Sequence, residues 1–177
     1  MVRVAGLDPS GSEKRYSGLA IINDNQILFI NRLKYDSDIV NVVLTYKPIV
    51  IAIDSPLSHA EIYREVDLLM KKLNYRVLPP GWNSMRKLVE RSIRFKQVFE
   101  KNDIIVIETH PYSALKSSRC RDIDELLKIH NIVLNKTLSR DEYDALISAL
   151  VAKYYVENRV FRVEARDGVI YLLPKIC

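Results

Sequence analysis

The chain has 177 residues, 48% hydrophobic and 28% charged, with a formal net charge of +5. That length and balance argue against intrinsic disorder and predict a single domain over residues 1–177, large enough to bury a core without staples. No apolar run has the length of a membrane span, and the mild basic excess suits a partner that carries phosphates. The start Met1-Val2-Arg3-Val4-Ala5-Gly6-Leu7-Asp8 reads as a strand rather than the long apolar stretch of a signal peptide. Cys120 and Cys177 are far apart in sequence and lack metal-ligand spacing, so a reducing, cytoplasmic compartment is expected, with Cys120 isolated and inert.

In chain order, Val2 to Leu7 is a buried strand, ended by the turn formers Asp8-Pro9-Ser10-Gly11-Ser12. Ser17 to Asn23 is a second strand, Asp24-Asn25 a hairpin turn, and Gln26 to Leu33 a third strand. Asp38 to Tyr46 has helical spacing at Ile39, Val40, Val43 and Leu44, and Pro48 closes it. The apolar run Ile49 to Ile53 suits a strand covered on both faces. Ser58 and Glu61 form a capping-box pattern ahead of a helix carrying Ile62, Val66, Leu69 and Leu73. Pro79-Pro80-Gly81 makes Val77 to Trp82 a loop, and Asn83 is placed to cap a helix reaching about Lys101. Ile104 to Ile107 is a short buried strand, and Arg121 to His130 reads as a helix. Ser139 and Glu142 make a second capping box, opening a helix with Leu146, Leu150 and Tyr154 beside small Ala145, Ala149 and Ala152. Arg159 to Ala165 and Val169 to Leu173 flank Asp167-Gly168, a hairpin signal. A meander followed by alternating helices and strands predicts a mixed α/β sheet with the first strand central.

Three of the buried strands end in an acid: Leu7-Asp8, Ile53-Asp54 and Ile107-Glu108. Ligands of open α/β sheets bind beyond the carboxyl ends of parallel strands, so parallel neighbours would bring the three acids to one edge. Asp141 and Asp144, at i and i+3, share one helix face. Each acid alone has a simpler role, as turn former, helix-dipole partner or ion-pair member. Together they are costly without a counter-charge, and hard divalent cations with oxygen ligands supply one. Two such ions roughly 3.5–4 Å apart activate a water and stabilise the leaving oxygen of a phosphodiester. The candidate catalytic and metal-binding set is therefore Asp8, Asp54, Glu108, Asp141 and Asp144, with two magnesium or manganese ions.

Gly6-Leu7-Asp8, Ile53-Asp54-Ser55-Pro56, Glu108-Thr109-His110-Pro111 and Asp141-Glu142-Tyr143-Asp144-Ala145 together resemble the family known as domain of unknown function 429 (DUF429), predicted nucleases of the ribonuclease H fold. The resemblance spans almost the whole chain. The same plan is similar to the RuvC-type Holliday-junction resolvases, and implies a five-stranded sheet of order 3-2-1-4-5 with helices on both faces, plus a C-terminal hairpin. Carried over, the metal-binding roles fall on Asp8, Asp54 and the Asp141/Asp144 pair, while Glu108 lies outside the resolvase pattern. The implied activity is hydrolysis of DNA or RNA, and a junction substrate would call for a homodimer.

Candidate nucleic-acid contacts are Ser10 and Lys14, in the loop after Asp8, and Arg86, Arg91 and Arg94 on the helix after Trp82. A solvated helix face explains the latter three equally well. Trp82 is read as a packing residue, with base stacking as the alternative. His110 is expected in a structural hydrogen bond, with metal ligation as the alternative. Two rival functions remain. One is a non-catalytic scaffold that binds nucleic acid or protein. The other is an actin-like nucleotide-binding protein, suggested by Gly6-Leu7-Asp8-Pro9-Ser10-Gly11-Ser12.

Overall fold

The computed structural model describes residues 2–177. Strands β1 (Arg3–Asp8), β2 (Ser17–Asn23) and β3 (Gln26–Leu33) form the antiparallel meander. Its second turn is Asp24-Asn25, with Asp24 in the left-handed region at φ 55°. Then come α1 (Asp36–Tyr46), β4 (Val50–Asp54), α2 (Glu65–Lys72), α3 (Asn83–Glu100), β5 (Ile105–Thr109), α4 (Pro111–Ser118), α5 (Ile123–Ile129), α6 (Arg140–Val156), β6 (Phe161–Ala165) and β7 (Gly168–Leu172). The order is β3-β2-β1-β4-β5-β7-β6. The expected 3-2-1-4-5 arrangement is present, and the C-terminal hairpin extends it to seven strands because β7 runs parallel to β5.

Side chains alternate between the two faces of a strand. On one face Val4, Ala20, Ile22, Val50 and Ala52 pack against Ala145, Leu146, Ala149 and Leu150 of α6. On the other, Ala5, Leu7, Leu19, Ile21, Ile51 and Ile53 pack against Ile39 and Val43 of α1 and Phe95 and Phe99 of α3. Strands covered on both faces need apolar residues at every position, which is why β1 and β4 read as unbroken apolar runs. Each fully buried Leu, Ile or Phe contributes about 1.5–3 kcal/mol. Among the described residues no helix is long and apolar enough to cross a membrane.

Several local expectations are corrected. Ser58 does not cap a helix: its hydroxyl accepts from Arg64 Nη1 at 3.1 Å, and the helix begins only at Glu65. There Arg64 is the capping residue, and its backbone N–H donates to Asp67 Oδ2 at 2.9 Å. The hairpin residue Asp167 completes this start by accepting from Glu65 N and Val66 N. Asn83 lies inside the first turn of α3, with Trp82 at the cap and no side-chain cap bond. Helix α4 was not foreseen, although Pro111 at its first position is a recognised start signal. The two cysteines are not isolated. Ile176 N and Cys177 N both donate to Ser118 O, which folds the tail back and brings Cys177 into a disulfide with Cys120.

Candidate metal centre

Asp8 and Asp54 end two parallel neighbours that are in register at Leu7 and Ile53. The alternation that turns Gly6 and Ala52 toward α6 turns Asp8 and Asp54 the same way. Helix α6 brings the other two acids. Its start is fixed by the expected capping box: Ser139 Oγ accepts from Glu142 N, and Glu142 Oε2 accepts from Ser139 N at 2.8 Å. Two glycines then let the helix backbone touch the sheet. A Cβ on Gly6 would lie 2.0 Å from Ala145 O, and one on Gly18 would lie 1.9 Å from Asp141 O. The start of α6, with Asp141 in its first turn and Asp144 just after it, is thereby seated beside the end of β1.

The three inner carboxyls share one electrostatic problem. Burial, then the nearby Asp144 and Asp141, raise the pKa of Asp8 to about 8. Burial first, then Asp8 and Asp144, push Asp54 well above the usual carboxylate range. Burial raises Asp144 as well, against the pull of Arg140, whose exposed guanidinium is 3.6 Å away. One exposed arginine does not offset this much buried negative charge. Oxygen donors with a charge deficit fit hard divalent cations such as magnesium or manganese. The acids line an edge rather than a closed cage. Among the described residues, the only group of three or more His, Cys, Asp or Glu whose ligand atoms all lie within 4.8 Å is Cys120, Glu125 and Cys177. There the two sulfurs are spent on each other.

Glu108 lies near enough to Asp54 to help raise its pKa, but it has a cation of its own. It is in register with Ile53, not Asp54, so alternation sends it to the opposite face. Both of its oxygens are held by Arg64, at 2.5 Å from Nη2 and 2.8 Å from Nη1. Its Oε2 also accepts from Leu57 N at 2.9 Å, which ties down the segment that follows Asp54. Arg64 and Asp67, both buried, complete the network. These groups border a cavity of about 200 Å³ that also reaches Asp8, Asp54 and His110. Burial lowers the pKa of His110 to about 4, and its Nδ1 is engaged with Ser113 Oγ at 2.7 Å.

The sequence matches no protein-family model. No curated protein matches it either. Among solved structures, Thermus thermophilus RuvC in complex with a Holliday junction substrate is similar at a TM-score of 0.60 and 15% identity, over 89% of this chain and 96% of that one. A second Thermus thermophilus RuvC structure gives 0.57 at 15% identity, over 89% and 97%. The fold is ribonuclease-H-like. At this identity the likeness is one of fold, and the resemblance to DUF429 rests on its four motifs.

The expected nucleic-acid contacts fare unequally on the ribonuclease-H-like frame. Arg91 is 1% exposed and internal. It pairs with Asp36 at 2.6 Å and donates to Ser10 O, Ser10 Oγ and Ser17 Oγ, so no phosphate can reach it. Ser10 is occupied too, its hydroxyl donating to Ser12 O at 2.8 Å. Lys14, Arg86 and Arg94 are exposed. Trp82, read as a packing residue, is 52% exposed. Arg64 was missed altogether. A lone arginine in a segment read as a helix gives no signal, because its partners Asp67 and Glu108 meet it only in the folded chain.

Proposed function

We propose that this chain is a divalent-metal-dependent nuclease. The observation that carries the reading is the placement of Asp8, Asp54, Asp141 and Asp144 at one edge of a ribonuclease-H-like sheet, where burial first and then neighbouring acids raise the pKa values of Asp8, Asp54 and Asp144. Asp8 and Asp54, with Asp144 and Asp141 completing the set, would hold two magnesium or manganese ions. When bound, such ions polarise a phosphodiester and lower the pKa of a water. Glu108 acts at one remove, holding the segment after Asp54 through Leu57 N and Arg64. Neutral His110, with Nδ1 engaged, supplies no acid near neutral pH. Of the expected contacts, Lys14 and Arg94 are exposed and placed to meet phosphates, while Arg86 is exposed with its Nε donating to Gly81 O at 3.0 Å. The RuvC structure holds a Holliday junction. A branched substrate would require two copies of this centre, and hence a homodimer.

The test is cleavage of labelled single-stranded, duplex and branched DNA and of RNA, with Mg2+, Mn2+ or EDTA. Wild-type protein is expected to cut at least one substrate only when metal is present. The Asp8→Asn/Asp144→Asn variant should lose that activity by about a thousandfold or more, since removal of one preorganised charge-stabilising group alone costs about 100–1,000-fold. Equal inactivity of both proteins on every substrate would leave a non-catalytic scaffold as the better description.

A further inference from the structure

A second hollow opens beside the acid edge. About 440 Å³ in volume, it is lined by Asp8 and Asp141 together with Lys14, Arg15, Tyr16 and Arg32. We propose that it seats the backbone of a nucleic-acid strand on its way to the acids, with Arg15, Lys14 and Arg32 on phosphates and a base stacked on Tyr16. This rests on the nuclease reading and gives the substrate a direction of approach.

Register places Arg32 on the face of Asp8. Asp8 is paired with Gly18 and Gly18 with Arg32, so the three form one row across β1, β2 and β3. Strands lie about 4.8 Å apart, which puts the Arg32 backbone about 10 Å from that of Asp8. Residues directly opposite each other share a face, and the start of α6 at Asp141 lies over Gly18 between them. The basic helix α3, by contrast, covers the opposite face of the sheet.

The cations are also uncommitted. Among the described residues, none of Lys14, Arg15 and Arg32 is in an ion pair. The one acid of the loop, Glu13, is drawn away to accept from Asp36 N at 2.7 Å. The loop itself is anchored. Buried Arg91 binds Ser10 and Ser17 at its two ends and Lys34 O and Asp36 just beyond β3. A preformed loop loses less conformational freedom when a ligand binds. Finally, the Arg32 guanidinium lies 5.0 Å from the centroid of the half-exposed Tyr16 ring. An aromatic ring beside a guanidinium is a sequence-tolerant platform for bases.

Fluorescence anisotropy of labelled oligothymidylate and oligouridylate, in EDTA and across a salt series, tests the proposal. Arg15→Ala/Arg32→Ala should weaken binding about tenfold or more. It should also flatten the log–log salt slope by about 1.4, at about 0.7 for each single-strand phosphate that is no longer neutralised. Tyr16→Ala should cost about fivefold or more with the slope unchanged. Arg15→Lys/Arg32→Lys should keep the wild-type slope, which separates charge from any folding defect. Lys71→Ala/Lys72→Ala, with the same charge change elsewhere, should stay within about twofold of wild type, a span well under the effect of neutralising one phosphate. The proposal is overturned if wild type binds neither oligonucleotide, if Arg15→Ala/Arg32→Ala matches the lysine control, or if the loss follows Arg86→Ala/Arg94→Ala instead. A double variant that binds normally beside a wild type that cleaves sinks the hollow alone. Binding through the hollow without any cleavage sinks the nuclease alone.

Discussion

Asp8 keeps its proton at pH values where a surface aspartate has lost its own. Its pKa rises from 3.8 to about 8, through burial first and then Asp144 and Asp141. A carboxyl raised on folding favours the protonated native state. Its contribution is fully present below pH 3.8 and is lost as pH rises toward 8. His110 has the opposite sign: its contribution is present above 6.5 and is lost as pH falls toward 4. From pH 6.5 to 8 the carboxyls therefore dominate. In EDTA the thermal midpoint should fall across this window by several degrees, because each pKa unit is about 1.4 kcal/mol. Asp8→Asn should flatten the fall and raise the midpoint at pH 8. Manganese should reverse the trend in wild type only, since ligands must shed protons to bind a metal. Scanning calorimetry reads all three, and a flat wild-type profile in EDTA would mean that these acids do not burden one another.

At the scale of elements, the site depends on how closely α6 lies on the sheet. Gly18→Ala changes no ligand, yet its new Cβ would fall 1.9 Å from Asp141 O. The first turn of α6 must then lift. Overpacking of this kind costs about 1–3 kcal/mol, and manganese affinity should fall by about tenfold or more, as it does when the support of a metal ligand is removed. Thermal denaturation and a metal titration check the pair of effects; wild-type values for both would mean that α6 is not seated there. The helix start was legible, because the box of Ser139 and Glu142 is written within four residues. The contact with Gly6 and Gly18 was not, because nothing in a strand's own pattern says which helix will cover it. The pairing of Glu108 with Arg64 was not legible for a related reason. Ending a buried strand places an acid at an edge, but its face depends on pairing with Ile53 rather than Asp54, and a one-residue difference in register reverses the side chain.

Across the whole molecule, the legible part is the part built from local pattern. Apolar runs in β1 and β4 gave the central strands, the turn at Asp24-Asn25 gave the meander, and the order 3-2-1-4-5 follows from those with the family resemblance. Long-range closures were not legible. The last hairpin joins the sheet only because β7 finds β5. Cys120 and Cys177, 57 residues apart, meet because the tail bonds back to Ser118. The acid edge combines both kinds of feature: the acids of β1 and β4 come from pattern, and those of α6 come from packing. Calorimetric titration of Mn2+ into wild-type and Asp8→Asn/Asp144→Asn protein at about pH 8, where the deprotonated ligands prevail, tests that union most directly. About two ions per wild-type chain, and none in the double variant, is the expected result for a two-ion centre. Equal binding by both proteins, or none by either, would contradict it.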